Sequence, residues 1–215
     1  MKCDRQTMRL YAVTDRAWVG RQTLPEQVEA ALKGGATCVQ LREKELDGAA
    51  FLEEARTLAA LCRRYGVPLI INDNVEVALA SGADGVHVGQ DDLTVEQVRR
   101  LAGDRLIVGV SAHSVEQALA AQAGGADYLG VGAVFATATK SDAHVLPRET
   151  LAEICRAVDI PVVAIGGIHA WNILELRGSG VSGVAVISAI FAQPDVGAAT
   201  AALLPLAREL VKNHG

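Results

Sequence analysis

Short runs of Val, Ile, Leu and Ala recur along this chain with almost no polar residue inside them, and most are followed by an amphipathic stretch rich in Ala, Leu and Glu. A strand with one wet face alternates apolar and polar residues. A run without that alternation is buried on both faces, as parallel strands are when helices cover them. The runs predict strands at Leu10–Thr14, Cys38–Arg42, Pro68–Asn72, Gly85–Gly89, Leu106–Val110, Tyr128–Val134, Val162–Gly166 and Val184–Ile187. Between and after them, the 3.6-residue period predicts helices at Leu24–Lys33, Ala49–Tyr65, Val95–Ala102, Val115–Ala123, Arg148–Ala157 and Val196–Val211, the last kinked at Pro205. Gly34-Gly35, Gly82, Gly124-Gly125 and the pair Gly178/Gly180 each stand shortly before the next strand, where a helix must stop.

Eight such units in 215 residues leave about 27 residues per unit, short but sufficient for a compact (β/α)8 barrel. A doubly wound open sheet usually has fewer strands, and no Gly-x-Gly-x-x-Gly follows the first strand here. No linker, low-complexity tract or charge run divides the chain, so residues 1–215 read as a single-domain α/β TIM barrel. Aromatic residues make up only 4% of the chain, so aliphatic side chains must fill its interior.

A formal net charge of −5 is a poor match to nucleic acid or an anionic membrane surface, and neither is expected as a partner. No apolar run reaches the roughly 18 residues of a bilayer span, and Met1–Thr7 contains no signal-like apolar segment. Cys3, Cys38, Cys62 and Cys155 are scattered without a Cys-x-x-Cys pair, which speaks against a disulfide framework or a zinc site. The expectation is a cytoplasmic protein, and a homo-oligomer is compatible with it.

In a barrel of this kind, functional groups gather on the loops that follow the C-terminal ends of the strands. The polar clusters fall there: Gln40-Leu41-Arg42-Glu43-Lys44, Asn72-Asp73, Gly89-Gln90-Asp91-Asp92, Ser111, Thr137-Ala138-Thr139-Lys140, Gly166-Gly167 and Ile187-Ser188. Strand alternation puts Gln40, Arg42 and Lys44 on one side. Two cations and an amide aimed into a barrel mouth suit an anion with hydrogen-bonding edges, such as a phosphoester. Ordinary surface pairs with Glu43 or Glu45 would use the same cations. Asp73 and Asp92 come from consecutive strand ends, and two carboxylates facing a phosphoester repel it unless a cation lies between. Mg2+, which binds one or two carboxylates together with phosphate, meets that need, one ion per site. Asp91 is an alternative to Asp92, and helix capping is the other use for these aspartates. The stretch Thr137–Lys140 lies in a longer loop that suits a lid over an anionic substrate. Gly166-Gly167 and the turn at Ser188 stand where barrels build phosphate sites from backbone N–H groups. His87 is either an interior residue or part of the site, and none of the five histidines has metal-ligand spacing.

At these clusters the sequence resembles the thiamine-phosphate synthase family. The likeness runs through Leu10–Asp15, Gln40–Lys44, Ile70–Asp73, Ala83–Asp92, Gly109–Ser111, Gly125–Tyr128, Thr137–Lys140, Val163–Ile168 and Gly183–Ser188, nearly the whole chain in order. It implies a transferase that joins 4-amino-2-methyl-5-(diphosphooxymethyl)pyrimidine to a thiazole phosphate, giving thiamine phosphate and diphosphate. It also implies that Gln40, Arg42, Lys44, Asn72, Ser111 and Lys140 hold the pyrimidine diphosphate, with Leu41 and Glu43 in the same binding stretch. Arg42, Lys44, Ser111 and Lys140 would assist the chemistry, and Asp73 and Asp92 would hold Mg2+. Thr137, Thr139, Gly167, Ile187 and Ser188, with Ala138 between the threonines, would line the thiazole phosphate site. The implied mechanism is dissociative and needs no side-chain nucleophile. Two departures, Ala136 where relatives often have Pro and Pro147-Arg148-Glu149-Thr150 where many have a Gly, bear on the geometry of the loop after the sixth strand. A thiazole tautomerase of the same fold and a non-catalytic barrel that binds thiamine precursors are the rival readings. The joint presence of Arg42, Asp73, Asp92 and Lys140 argues against both.

Overall fold

The structure is a computed structural model that describes residues 3–20, 22–137 and 145–212. Eight parallel strands close a barrel in sequence order: β1 (Leu10–Val13), β2 (Cys38–Leu41), β3 (Leu69–Asn72), β4 (Gly85–Val88), β5 (Ile107–Ala112), β6 (Tyr128–Val131), β7 (Val162–Ile165) and β8 (Gly183–Val186). The ring closes where β1 pairs with β8, with Tyr11 opposite Ala185. Helices α1 (Leu24–Lys33), α2 (Gly48–Tyr65), α3 (Val75–Ser81), α4 (Val95–Ala102), α5 (Val115–Ala123), α6 (Arg148–Ala157), α7 (Ser188–Phe191) and α8 (Val196–Leu210) follow their strands. No helix among the described residues is long and apolar enough to cross a membrane.

The strands are buried on both faces for the reason their sequences carry no alternation, yet period two still divides them into two sets. Leu10, Ala12, Val39, Leu41, Leu69, Ile71, Val86, Val88, Val108 and Val110 face outward into the apolar layer shared with the helices. Tyr11, Val13, Cys38, Ile70, Ile107, Tyr128, Val163 and Ala185 point inward and pack as a second, smaller cluster. Gly109 and Gly130 hold inward positions, Gly109 facing Tyr128 and Gly130 facing His87. A Cβ on Gly109 would lie 2.1 Å from Cζ of Tyr128, so the ring occupies the space this glycine leaves. The barrel interior is therefore filled by a few large rings set against missing side chains.

Local signals start and stop the helices. Thr23 with Glu26 and Thr94 with Gln97 form reciprocal capping boxes at α1 and α4. Asp47 and Asn74 cap α2 and α3 through their side chains. Gly66 ends α2 in the left-handed conformation at φ +67°.

The structure departs from the sequence reading in several places. Helices α3 and α7 are too short for periodicity to reveal them, at seven and four residues. Between β7 and β8 no α-helix forms among the described residues, only a 3-10 turn at Ile173–Leu176. Strand β6 stops at Val131, three residues before the expected Val134, although Val134 and Phe135 still donate to the carbonyls of Ile165 and Gly166. Helix α8 continues through Pro205, as expected, and the exposed position of Pro205 leaves the unpaired carbonyl of Ala201 open to water.

Gly109→Ala forces its new methyl group into the Tyr128 ring and should cost about 3 kcal/mol of stability through overpacking. Urea unfolding checks this; a variant within a few tenths of a kcal/mol of the parent would contradict the packing described.

Candidate active site

The barrel mouth at the C-terminal ends of the strands opens into a cleft of about 670 Å³. Its floor is formed by Tyr11, Val13, Tyr128, Val163 and Ala185, the inward set of the barrel. Its walls bring together Gln40, Arg42, Lys44, Asn72, Asp73, Asp92, Ser111, Thr137, Gly167, Ile187 and Ser188, all expected from the sequence, with Asp91, His87 and His113 alongside. Two expected residues lie elsewhere. Leu41 faces outward into the layer between strands and helices, fully buried, because it stands one position out of phase with Gln40 and Arg42. Glu43 does not line the cleft and is instead tied into the loop behind it. Ala138, Thr139 and Lys140 lie outside the described residues.

The cationic wall is held from behind. Arg42 donates its backbone N–H to Thr14 Oγ1 at 3.1 Å, and its guanidinium meets Asp15 Oδ2 at 3.0 Å. Asp15 is itself fixed, since its other oxygen accepts from the Ala17 N–H at the start of the 3-10 turn Arg16–Trp18. Glu43 binds Arg16 Nε at 2.6 Å and accepts the backbone N–H groups of Glu45 and Leu46, with its side chain only 1% exposed. Burial works against the Glu43 carboxylate, but Arg16 and the two backbone donors outweigh it and hold its pKa below the ordinary 4.5. The loop that carries Arg42 and Lys44 is thus braced by a carboxylate that never reaches the cleft.

The acidic wall comes from the loops after β3 and β4. Asp73 adopts φ +63°, a left-handed conformation that Asp tolerates better than most residues. Its N–H donates to the His87 carbonyl at 2.8 Å, and its Oδ2 accepts from Asn72 Nδ2 at 2.6 Å. Asp92 Oδ2 accepts the Gly89 N–H at 2.7 Å, which folds the β4 loop back over its own strand end. On the opposite wall, Gly166 and Gly167 both take positive φ, +101° and +61°. Buried Asn172 fixes that turn, donating to the Gly167 carbonyl at 2.9 Å and accepting the His169 N–H at 2.8 Å. Helix α7 begins beside it at Ser188, and the first N–H groups of a helix have no partner within it. Phe135, beyond the end of β6, has the Arg148 guanidinium over its ring at 5.6 Å.

Sequence reasoning missed Asp15 and Asn172, which act by holding a site residue, and it assigned no role to Tyr11 and Tyr128. The signal for the tyrosines was present: both sit at inward positions of predicted strands whose neighbours are small. The chemistry of the cleft is now plain. One side offers fixed cations, the next a pair of carboxylates, and the third a turn rich in backbone N–H groups. Such a cleft suits two phosphorylated ligands that meet over an aliphatic and phenolic floor.

The chain matches known proteins along nearly its whole length. The family described as thiamine monophosphate synthase matches residues 10–190. The thiamine-phosphate synthase of Ruminiclostridium cellulolyticum is 51% identical over 92% of this chain and 94% of its own length. That of Caldanaerobacter subterraneus subsp. tengcongensis is 48% identical over 96% of each. Among solved structures, thiamine phosphate pyrophosphorylase from Pyrococcus furiosus superposes with a TM-score of 0.89 at 42% identity, covering 96% of this chain and 98% of that one.

The Glu43 brace generates a pH prediction. Its folded-state pKa lies below the unfolded value, so its stabilisation is present above 4.5 and is lost as pH falls through the folded value. Glu43→Gln should cost about 2 kcal/mol at neutral pH and flatten the acid limb of the stability curve. Denaturant unfolding across the acid range checks both; an unchanged acid limb would remove Glu43 from the account.

Proposed function

The chain belongs to the thiamine monophosphate synthase family, and we propose that the cleft described above is where it carries out the family's transfer. Its activity is that of a thiamine-phosphate synthase: a pyrimidinylmethyl group passes from diphosphate to the nitrogen of a thiazole phosphate, giving thiamine phosphate and diphosphate. The observation that carries the assignment to this cleft is the meeting of Arg42 and Lys44 with Asp73 and Asp92 around one space.

The donor set fits a magnesium ion. Asp73 from one loop and Asp91 and Asp92 from the next line the same cleft, while no group of three or more His, Cys, Asp or Glu residues able to hold a metal occurs among the described residues. An ion held by Asp73 and Asp92 would need oxygens from the substrate to complete its shell, which is the habit of Mg2+. When bound, it supplies charge neutralisation to the departing diphosphate.

The protein groups do the rest. Arg42 presents a planar fork and Lys44 a point charge to the diphosphate oxygens, and Lys140 adds a third cation from the lid loop. Because Asp15 already holds Arg42, little reorganisation is needed when negative charge grows on the leaving group. Gln40, Asn72 and Ser111 hold the pyrimidine end. The C–O bond breaks with its electron pair going to diphosphate, and the electron-rich aminopyrimidine stabilises the methylene cation. The thiazole nitrogen then gives its lone pair to that carbon. No side chain acts as nucleophile. Gly167, Ile187 and Ser188, with Thr137–Thr139, hold the thiazole phosphate so that its nitrogen faces the cation, and the apolar floor keeps water from intercepting it. The cysteines described are free thiols, which accords with a reducing compartment, and we place the enzyme in the cytoplasm.

The test is a product assay with both phosphorylated precursors. Thiamine phosphate should form with an equal amount of diphosphate, stop on chelation and resume with Mg2+. Asp73→Ala should lower the rate at least about a hundredfold, the scale of losing a principal electrostatic contact. Full activity in chelator, or an Asp73→Ala rate near that of the parent, would overturn the metal assignment.

A further inference from the structure

Beneath the charged rim an unbroken line of polar contacts joins Gln40 to Ser111 through three side chains to which the transfer assigns no role. Gln40 Nε2 donates to Tyr11 Oη at 2.9 Å, and Tyr11 Oη lies 2.8 Å from Tyr128 Oη. Tyr128 Oη is 2.9 Å from His87 Nδ1, and His87 Nε2 is 3.0 Å from Ser111 Oγ. Both tyrosines are buried, and burial raises their phenol pKa values well above the ordinary 10, so both keep their protons. The fold reserves space for this line: a Cβ on Gly109 would strike Tyr128, and one on Gly130 would stand 3.0 Å from His87 Cε1.

Counting protons gives the line a direction. Tyr11 Oη accepts an amide N–H from Gln40, and its own proton finds a stronger acceptor in Tyr128 Oη than in the neighbouring Cys38 thiol. Tyr128 then gives its proton to His87 Nδ1. An imidazole that accepts at Nδ1 carries its proton on Nε2, and that proton points at Ser111 Oγ. The serine's own hydroxyl proton therefore turns away from the histidine and into the cleft. The reverse order, or a doubly protonated imidazole, makes Tyr11 Oη accept from both Gln40 and Tyr128 and turns its own proton to the Cys38 thiol, a weak acceptor.

We propose that Tyr11, Tyr128 and His87 are positioning residues that fix His87 as the Nε2–H tautomer and thereby make Ser111 an obligate hydrogen-bond donor to the bound pyrimidine diphosphate. The atom that meets Ser111 must then be an acceptor, a ring nitrogen or a diphosphate oxygen. The identity of that ligand rests on the function proposed above, whereas the tautomer belongs to the free protein, so the two fail separately.

The experiment is long-range 1H–15N correlation NMR on ligand-free protein with 15N-labelled histidine, the His87 signals being identified by their loss in His87→Gln. The expected result is a single His87 tautomer with Nδ1 unprotonated. Tyr128→Phe removes the donor to Nδ1 and should give a mixture of tautomers. It should also raise KM for the pyrimidine diphosphate about tenfold, the scale of one hydrogen bond, while KM for the thiazole phosphate stays unchanged. Tyr11→Phe, which keeps the Tyr128–His87 contact and removes only the fixed end of the line, should also admit the second tautomer. A His87 that carries its proton on Nδ1, or on both nitrogens, in the parent protein overturns the proposal whatever the variants do. A folded Tyr128→Phe with an unchanged tautomer, or with both KM values raised alike, overturns it too.

Discussion

Closure of an all-parallel sheet is the constraint on which everything else here depends. With β1 paired to β8, every strand ends at the same rim, and residues separated widely in sequence are brought to one mouth. The outward faces of the strands have no choice but to be apolar, since helices cover them on all sides. Function is thus pushed to two places: the loops, and the inward positions near the rim. The site uses both. Charges stand on the loops, where water can reach them before a ligand arrives, and neutral hydrogen-bonding groups line the interior below.

That division is also an energetic one. Arg42, Asp73 and Asp92 stand at the rim, each held by a neighbour: Asp15 for the guanidinium, Asn72 and the Gly89 N–H for the carboxyl groups. Deeper in the barrel, where an unpaired charge would be costly, the polar groups are two phenols, an amide and an imidazole that satisfy one another. The transfer proposed for this cleft would use that division, with charge separating at the rim and the cationic fragment kept from water above the floor.

How much of this was legible in the sequence differs from residue to residue. The eight strands were, because a run such as Leu69–Asn72 can be buried on both faces only in a covered parallel sheet. The rim clusters were too, because one-sided polar residues at successive strand ends have few other uses. Helices α3 and α7 were not, being shorter than the window in which a 3.6-residue period shows itself. The pentad Gln40–Lys44 was read as one binding stretch, but Leu41 follows the strand outward and Glu43 turns back to Arg16. Alternation separates Gln40, Arg42 and Lys44 from Leu41 and Glu43, and taking the stretch whole lost that distinction. Asp15 and Asn172 were invisible for a different reason: each acts through a contact with a residue distant in sequence or within a turn, and one sequence records no such pairing.

The central claim is that the cations of the β2 loop and the carboxylates of the β3 and β4 loops converge on a single diphosphate. The most direct measurement is a crystal structure with Mg2+ and a non-hydrolysable methylene-bridged analogue of the pyrimidine diphosphate. The account predicts the metal between Asp73, Asp92 and the analogue's phosphoryl oxygens, with Arg42 and Lys44 in hydrogen-bond contact with the same group. An analogue whose phosphoryl groups sit instead at Gly167 and Ser188, with Asp73 and Asp92 turned away from any metal, would contradict it.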